Sequence, residues 1–364
     1  MKPVIQDKDA MTLALEQARL GMFTTTPNPR VGCVLVKDNQ IIGCGFTQPP
    51  GGNHAEIQAL ADAKANGHDP RGATAYVTLE PCSHFGRTPP CANRLVEEGI
   101  ARVVSAMTDP NPQVAGKGLA ILQAAGIAVE NGLLSDEAYE VNIGFFKRML
   151  HGTPWVRVKT AISLDSKTAL HNGKSQWITG QAARDDGHWW RARACAILTG
   201  IGTVRDDDPQ LNVRAVETPR QPQRIVLDSK LDISTNAKIL STPGTWIVTA
   251  SQDNVKQAAL EAVGAEVIYL PNEQGSIDLP ALMRELGKRQ INELHVEAGA
   301  ILNTALITAG CVDELLVYIA PVLLGDARQM LNLPALDNLD GARRLEFHEV
   351  RQIGADLRIL ARFN

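Results

Sequence analysis

His54-Ala55-Glu56, then Pro81-Cys82, then Cys91 nine positions further on: the reading of the chain turns on these residues. Imidazole and thiolate are donors that zinc prefers, and three protein ligands with one open position are what a catalytic zinc needs. The flanking sequence puts the donors at helix starts. His54 opens a helix-like segment that runs to Ala65 and stops at Asn66-Gly67, and Cys91 opens a second that reaches Glu98. Helix N-termini would then face the metal and favour the thiolates. Glu56, two residues from a ligand, is spaced to take a proton from a zinc-acidified water. Each fragment is weak alone, and a structural Cys2His2 site with His84 as fourth ligand competes with this reading. The conjunction favours a catalytic metal.

Working outward, the first half alternates strand-like and helix-like segments. Met11, Ala14, Leu15 and Ala18 recur at helical spacing behind an acidic start at Asp7–Asp9. Val31–Val36 and Ile41–Phe46 read as a hairpin about an Asp38-Asn39 turn. Ala75–Leu79, Ala101–Met107 and Ile127–Val129 read as strands, with helices at Ala92–Glu98 and Gly118–Ala125 between them. That order fits an α/β sandwich. A helix over Asp136–Met149 runs into His151-Gly152-Thr153-Pro154, the sharpest punctuation on the chain, and sets expected domains of 1–150 and 151–364.

The second half restarts with a strand at Trp155–Ile162. Further strands are expected at Ala194–Thr199, Arg224–Leu227, Thr245–Val248, Glu266–Tyr269, Glu293–Val296, Glu314–Ile319 and Leu357–Phe363. Helices are expected between several of them, as at Gln252–Val263 and Leu279–Lys288, so this half is also α/β. Gly200-Ile201-Gly202-Thr203 and Val296-Glu297-Ala298-Gly299-Ala300 each follow a strand, where backbone N–H groups could meet a phosphate. Neither has the third glycine of a dinucleotide fingerprint, and either alone could be a tight turn.

At 364 residues two domains are the natural prior. The composition, 44% hydrophobic and 21% charged, is that of a globular protein. The longest apolar runs, such as LLVYIAPVLLG at 315–325, are far shorter than the ~20 residues a membrane helix needs. No secretory leader is legible in MKPVIQDKDA. A net charge of −4 argues against a nucleic-acid partner, and six scattered cysteines suggest a reducing cytoplasm rather than a disulfide framework. Cys33, Cys44, Cys195 and Cys311 read as core residues.

The His-x-Glu and Pro-Cys pattern is similar to that of zinc nucleobase deaminases, in which the glutamate moves protons without ligating the metal. Those enzymes usually space their cysteines by two residues, whereas eight lie between Cys82 and Cys91. CSHFGRTPPC at 82–91, with TPNPRVGCVLV at 26–36 and TDPNPQVAGKG at 108–118, resembles the bifunctional deaminase–reductases of riboflavin biosynthesis. KTAISLDSKTA at 159–169, SQWITG at 175–180, LTGIGTVRDDDPQLNVR at 198–214 and HVEAGAILN at 295–303 extend the resemblance over nearly the whole chain.

The resemblance implies a cytidine-deaminase-like α/β/α sandwich followed by a dihydrofolate-reductase-like domain. It implies zinc on His54, Cys82 and Cys91, with Glu56 as proton donor and acceptor. The substrate implied is 2,5-diamino-6-ribosylamino-4(3H)-pyrimidinone 5′-phosphate, with Asn28, His84, Arg87, Asp109 and Asn111 as weaker candidates for contacting it. The second half would use NADPH to reduce the ribosyl group of 5-amino-6-(5-phosphoribosylamino)uracil to ribityl. Ala161, Trp177, Thr203, Asp207, Ser229 and the turn Gly299, Ala300, Ile301, Leu302, Asn303, Thr304, Ala305 would contact NADPH. Ser175, Arg191, Leu211, Arg214 and Glu297 would face substrate, the two arginines suiting its phosphate. Asp165 is a candidate for proton handling or a simple cap. The family usually has Gly where Ser166 stands, so the turn there is expected to differ. Trp189-Trp190 and His188 read as helical packing. A homo-oligomer is expected, formed through the reductase half.

Two other functions stand beside this one. One is a zinc deaminase of a free or tRNA nucleobase with an unrelated appended domain, against which the absence of a basic stretch speaks. The other is a non-enzymatic, zinc-stabilised NADPH-binding sensor.

Overall fold

Short strands buried on both faces build the first half. On the strand 32–37, Cys33 and Leu35 face one layer of helices while Val34 faces the other, and Ala75, Tyr76 and Val77 repeat the pattern. In the computed structural model, which describes residues 5–83, 90–112 and 114–363, the chain forms two compact units, one ending at His151 and the next starting at Gly152.

The first unit runs α1 (Asp7–Leu20), β1 (Gly32–Lys37), β2 (Gln40–Phe46), α2 (Ala55–Ala65), β3 (Thr74–Val77), α3 (Cys91–Glu97), β4 (Arg102–Ser105), α4 (Lys117–Ala124), β5 (Ala128–Asn131) and α5 (Ser135–His151). Among the described residues its sheet order is β2-β1-β3-β4-β5. The β1–β2 hairpin turns at Asp38 and Asn39, both at positive φ (50° and 59°), the conformation two-residue hairpins favour. The pair β1–β3 is antiparallel, whereas β3, β4 and β5 are parallel. The face carrying Val34, Tyr76 and Val104 packs on Ala10, Met11, Ala14 and Leu15 of α1 and Ala138 of α5. Burying Met11 or Leu15 is worth about 2 kcal/mol each. The other face packs on Ala59 and Leu60 of α2, Leu95 of α3 and Leu122 of α4. This is the expected α/β/α sandwich. Gly45 lets α2 lie close to the sheet, since a Cβ there would come within 2.5 Å of the Ala55 carbonyl oxygen.

The second unit runs β6 (Trp155–Ser163), β7 (Lys167–Ala169), α6 (Gln181–Arg193), β8 (Ala196–Gly200), α7 (Ile201–Asp207), β9 (Gln223–Leu227), β10 (Trp246–Thr249), α8 (Asn254–Ala262), β11 (Glu266–Tyr269), α9 (Leu279–Lys288), β12 (Glu293–Val296), α10 (Ala300–Thr308), β13 (Glu314–Ala320), β14 (Arg328–Gln329), β15 (Leu345–Ile353) and β16 (Asp356–Phe363). Its main sheet has the order β11-β10-β9-β8-β12-β6-β13-β16-β15, parallel as far as β13 and antiparallel beyond. The strand β15 is one that sequence pattern did not disclose, because LEFHEVRQI is largely exposed and lacks a buried apolar face. The pair β7–β14 forms a separate ribbon, also unforeseen.

The two faces of this sheet differ chemically. Val156, Val158, Leu294, Val296, Leu315 and Val317 pack against Leu282, Met283 and Leu286 of α9 and Leu306 and Ile307 of α10. The opposite face carries Arg157, Glu293, His295, Glu314 and Tyr318, all buried. Arg157 is bonded to Glu314 and lies 3.3 Å from Glu293, and its guanidinium stacks 4.3 Å from the Trp190 ring. Trp190 is therefore a packing residue, as expected. Cys33, Cys195 and Cys311 are buried as expected, and Cys44 is half-buried.

Candidate metal centre and reductase site

His54 stands at the N-cap of α2, with Glu56 in the first turn, and Cys91 is the first residue of α3. The loop after β3 delivers Cys82, whose carbonyl accepts the Ala92 N–H at 3.2 Å and whose sulfur accepts the Cys91 N–H at 3.3 Å. These bonds tie the second ligand to the helix that starts with the third. His54 Nδ1 lies 3.5 Å from Cys82 Sγ and 3.4 Å from Cys91 Sγ. A tetrahedral zinc with ordinary Zn–N and Zn–S bonds places such atoms about 3.6 Å apart. The donor set fits the metal in chemistry and spacing, and it is the one such cluster among the described residues.

Glu56 is 3% exposed; burial first, then the Cys82 sulfur, push its carboxyl up to about 7. The Cys91 thiol, with help from His54, pulls Cys82 down to about 4, and Cys82 in turn raises His54 to about 9. These hydrogen bonds favour the thiolate form of Cys82, the form that binds a cation.

Asn28 lies in the turn before β1, where its N–H donates to the Thr25 carbonyl at 2.9 Å. The segment is held by Asn142 of α5, whose amide accepts the Arg30 N–H at 2.7 Å and donates to the Arg30 carbonyl at 2.9 Å. Asp109 is buried and accepts the Asn111 N–H at 2.8 Å, so its carboxylate shapes the loop that carries both. His84 and Arg87 lie outside the described residues.

In the second unit the expected cofactor residues gather at the C-terminal ends of parallel strands, where open α/β sheets bind ligands. Thr203 and Asp207 are in α7 behind β8, Ser229 follows β9, Gly299 precedes α10 behind β12, and Ala161 lies near the end of β6. Gly299 takes an ordinary extended conformation, and a Cβ there would meet nothing within 4 Å. The glycine therefore leaves open space at the start of α10, whose first N–H groups no side chain caps among the described residues. The next residues are less available. Leu302 packs toward Gly200, Asn303 is buried with its amide bonded to the Ala298 carbonyl, and Thr304 accepts the Asn332 N–H. Trp177 is 68% exposed under the Arg184 guanidinium.

Of the expected substrate residues, Arg191, Glu297 and the 211–214 segment are brought together, and no hydrogen bond or ion pair links Ser175 to them among the described residues. Arg191 pairs with Glu297 and donates to the Asn212 carbonyl at 3.1 Å. Leu211 turns its side chain into the core beside Ile197 and Val204, leaving only backbone to face a ligand. Arg214 is exposed. His188 corrects the packing expectation: it is half-buried at this cluster, its Nδ1 accepts the Arg214 N–H at 3.3 Å, and burial with Arg191 lowers it to about 4. Asp165 accepts hydrogen bonds from Ser163 and from the Leu324 and Gly325 N–H groups, and these donors lower its pKa to about 2. It is built as an ionised clasp, which does not suit a proton donor. Ser166 has a φ of 64°, so the turn keeps a conformation that glycine adopts freely.

Sequence reading missed Lys159, with Nζ 3.8 Å from Glu297, and Glu80, which holds the 107–119 loop. A charged residue inside a strand pattern was the available signal for Lys159; Glu80, in the loop after β3, gave none.

The cytidine and deoxycytidylate deaminase zinc-binding region matches residues 4–107, and the RibD C-terminal domain matches residues 154–359. The chain belongs to the RibD family. Riboflavin biosynthesis protein RibD of Escherichia coli K12 is 48% identical over 367 residues, covering 97% of this chain and 98% of that protein. The Haemophilus influenzae RibD is 49% identical over 368 residues, covering 97% and 96%. Among solved structures, Acinetobacter baumannii RibD has a TM-score of 0.90 at 43% identity, covering 98% of this chain and 99% of that one. The Thermotoga maritima diaminohydroxyphosphoribosylaminopyrimidine deaminase/5-amino-6-(5-phosphoribosylamino)uracil reductase has a TM-score of 0.87 at 30% identity, covering 98% and 99%. This RibD-family chain is a bifunctional deaminase and reductase of riboflavin biosynthesis, and its deaminase half is zinc-binding. A nucleobase deaminase with an unrelated second domain, and a non-enzymatic sensor, both give way to this assignment. Among the described residues, no helix is long and apolar enough to cross a membrane.

Proposed function

We propose that the unit ending at His151 deaminates 2,5-diamino-6-ribosylamino-4(3H)-pyrimidinone 5′-phosphate, and that the unit from Gly152 reduces the ribosyl group of the product with NADPH. The observation that carries the first half is the His54–Cys82–Cys91 cluster with Glu56 buried beside it. Bound there, zinc supplies a water acidic enough to ionise near neutral pH. Glu56 takes the proton at its carboxylate and returns it to the amine that leaves C2 as ammonia. Its burial favours the protonated form that hands the proton on. Asn28, Asp109 and Asn111 orient the pyrimidine.

In the second unit bound NADPH would supply a hydride to C1′ of the ring-opened sugar. The backbone N–H groups of Gly299, Ala300 and Ile301 at the open start of α10 would hold a cofactor phosphate. Ala161, Trp177, Thr203, Asp207 and Ser229 line the remainder, together with backbone of the 302–305 turn. Arg214, exposed beside the cluster, takes the substrate phosphate, while Arg191 fixes the Glu297 carboxylate. Ser175 and the Leu211 backbone complete the substrate side.

We place the enzyme in the cytoplasm, where its four other thiols and the Cys82–Cys91 metal centre stay reduced. We assign it a homo-oligomeric state through the β15 edge, where Phe347 is 74% exposed.

The deciding experiment supplies the diamino substrate and NADPH and follows ammonia release and cofactor oxidation separately. Chelation should abolish ammonia release while the enzyme still oxidises NADPH with the deaminated intermediate. Loss of both together would refute two independent sites.

A further inference from the structure

A buried carboxylate stands beside the metal centre without any part in the chemistry above. Glu80 precedes Pro81-Cys82 and is 3% exposed. Its Oε2 accepts the N–H groups of Asp109 at 3.1 Å and Gly116 at 2.8 Å, and its Oε1 accepts those of Gly118 at 2.8 Å and Leu119 at 3.4 Å. Its own N–H donates to the Met107 carbonyl at 2.8 Å. One side chain therefore grips both ends of the loop that carries Asp109 and Asn111. The approach is close: a Cβ on Gly118 would lie 1.9 Å from the Pro81 carbonyl oxygen.

We propose that Glu80 is a positioning residue of the deaminase, which holds the Asp109–Asn111 loop in register with the ligand-bearing Pro81-Cys82 segment and so sets the affinity for the pyrimidine. The proposal rests on the reading that this loop meets the substrate. Four converging N–H donors need a group that only accepts, and an ionised carboxylate offers about four acceptor sites. A glutamine would turn an NH2 toward two of those donors. An aspartate would keep the charge but withdraw it by one methylene. The side chain also lies at the start of α4, where a negative charge is favoured.

The test compares Glu80→Gln, Glu80→Asp and Asn111→Ala in the full chain, measuring zinc per chain, ammonia release and NADPH-dependent reduction. Glu80→Gln should raise the deaminase KM at least tenfold, with kcat within threefold, zinc stoichiometry unchanged and reductase activity unchanged. Glu80→Asp should give a smaller rise in KM and keeps the test usable if the glutamine variant does not fold. Loss of zinc together with kcat in both Glu80 variants would overturn the proposal, since the residue would then serve the metal site itself. A raised KM in Asn111→Ala with wild-type KM in both Glu80 variants would remove the role of Glu80 alone. An unchanged KM in Asn111→Ala would remove the reading of the loop on which the proposal rests.

Discussion

Arg191 and Glu297 form a two-pronged ion pair, with Nε 2.5 Å from Oε1 and Nη2 2.8 Å from Oε2. The last turn of α6 meets the end of β12 through this pair. Burial works to raise the Glu297 pKa, but Arg191 and Lys159 outweigh it and hold the carboxyl well below its ordinary value. His295 Nε2 is 3.3 Å away without hydrogen-bond geometry, and burial lowers its pKa. Glu297 thus stays ionised at the mouth of the reductase sheet.

Removing the arginine leaves that carboxylate largely desolvated and short of its main partner. Arg191→Ala should cost about 3 kcal/mol of stability in the reductase unit. It should raise the substrate KM about tenfold, equivalent to about 1.4 kcal/mol, with the NADPH Kd within twofold. Thermal melts, steady-state kinetics and a cofactor titration measure the three quantities. An equal loss of NADPH affinity would contradict the assignment.

Glu56→Gln keeps the side chain's shape and hydrogen-bonding reach while removing its capacity to exchange a proton. Ammonia release should fall by on the order of 10² to 10⁴, with zinc content and reductase activity unchanged. A variant that retains zinc and turns over near the wild-type rate would eliminate the proton-transfer role.

The α1 start is tied to the sheet by Asp7, which pairs with Arg102 and accepts the Tyr76 hydroxyl. The bond from Arg102, then that from Tyr76, lowers Asp7 from 3.8 to about 2. A carboxyl depressed in the folded state contributes stability above its unfolded pKa and loses it as pH falls through the folded one. The deaminase unit should therefore lose this contribution between pH 3.8 and about 2. Asp7→Asn should melt lower than wild type at pH 7, and the gap should close as the medium is acidified. A constant gap would mean that the charge of Asp7 does not matter.

On the β15 edge, Phe347 is 74% and Val350 55% exposed. Phe347→Lys should shift sedimentation toward a smaller species with both activities measurable at high enzyme concentration. An unchanged sedimentation coefficient would move the interface elsewhere.

Much of the deaminase site was legible because its ligands lie beside helix starts, and helix starts have local sequence signs. His54 and Cys91 each follow a proline or turn segment and open an apolar-periodic run. Most strands of both units were legible as short apolar runs bounded by turn residues, as with Val31–Val36 before Asp38-Asn39. The strand β15 was not, because a ribbon exposed on both faces has no core to alternate against. His188 and Glu80 were unreadable for a different reason. Their partners lie 26 and between 29 and 39 residues away, and no local pattern reports which backbone N–H groups converge on a side chain.

The sequence by itself determined the chemistry: a histidine and two cysteines for zinc, an acid beside them, and glycine turns behind strands, since residue type and local spacing dictate what donors exist. The tertiary structure decided how those groups are used. It buried Glu56 and so pushed its carboxyl upward, held Asp165 ionised as a clasp, and spent the charge of Arg191 on Glu297 rather than leaving it free for a phosphate. Desolvation and long-range pairing set those states, and both depend on which surfaces the fold brings together.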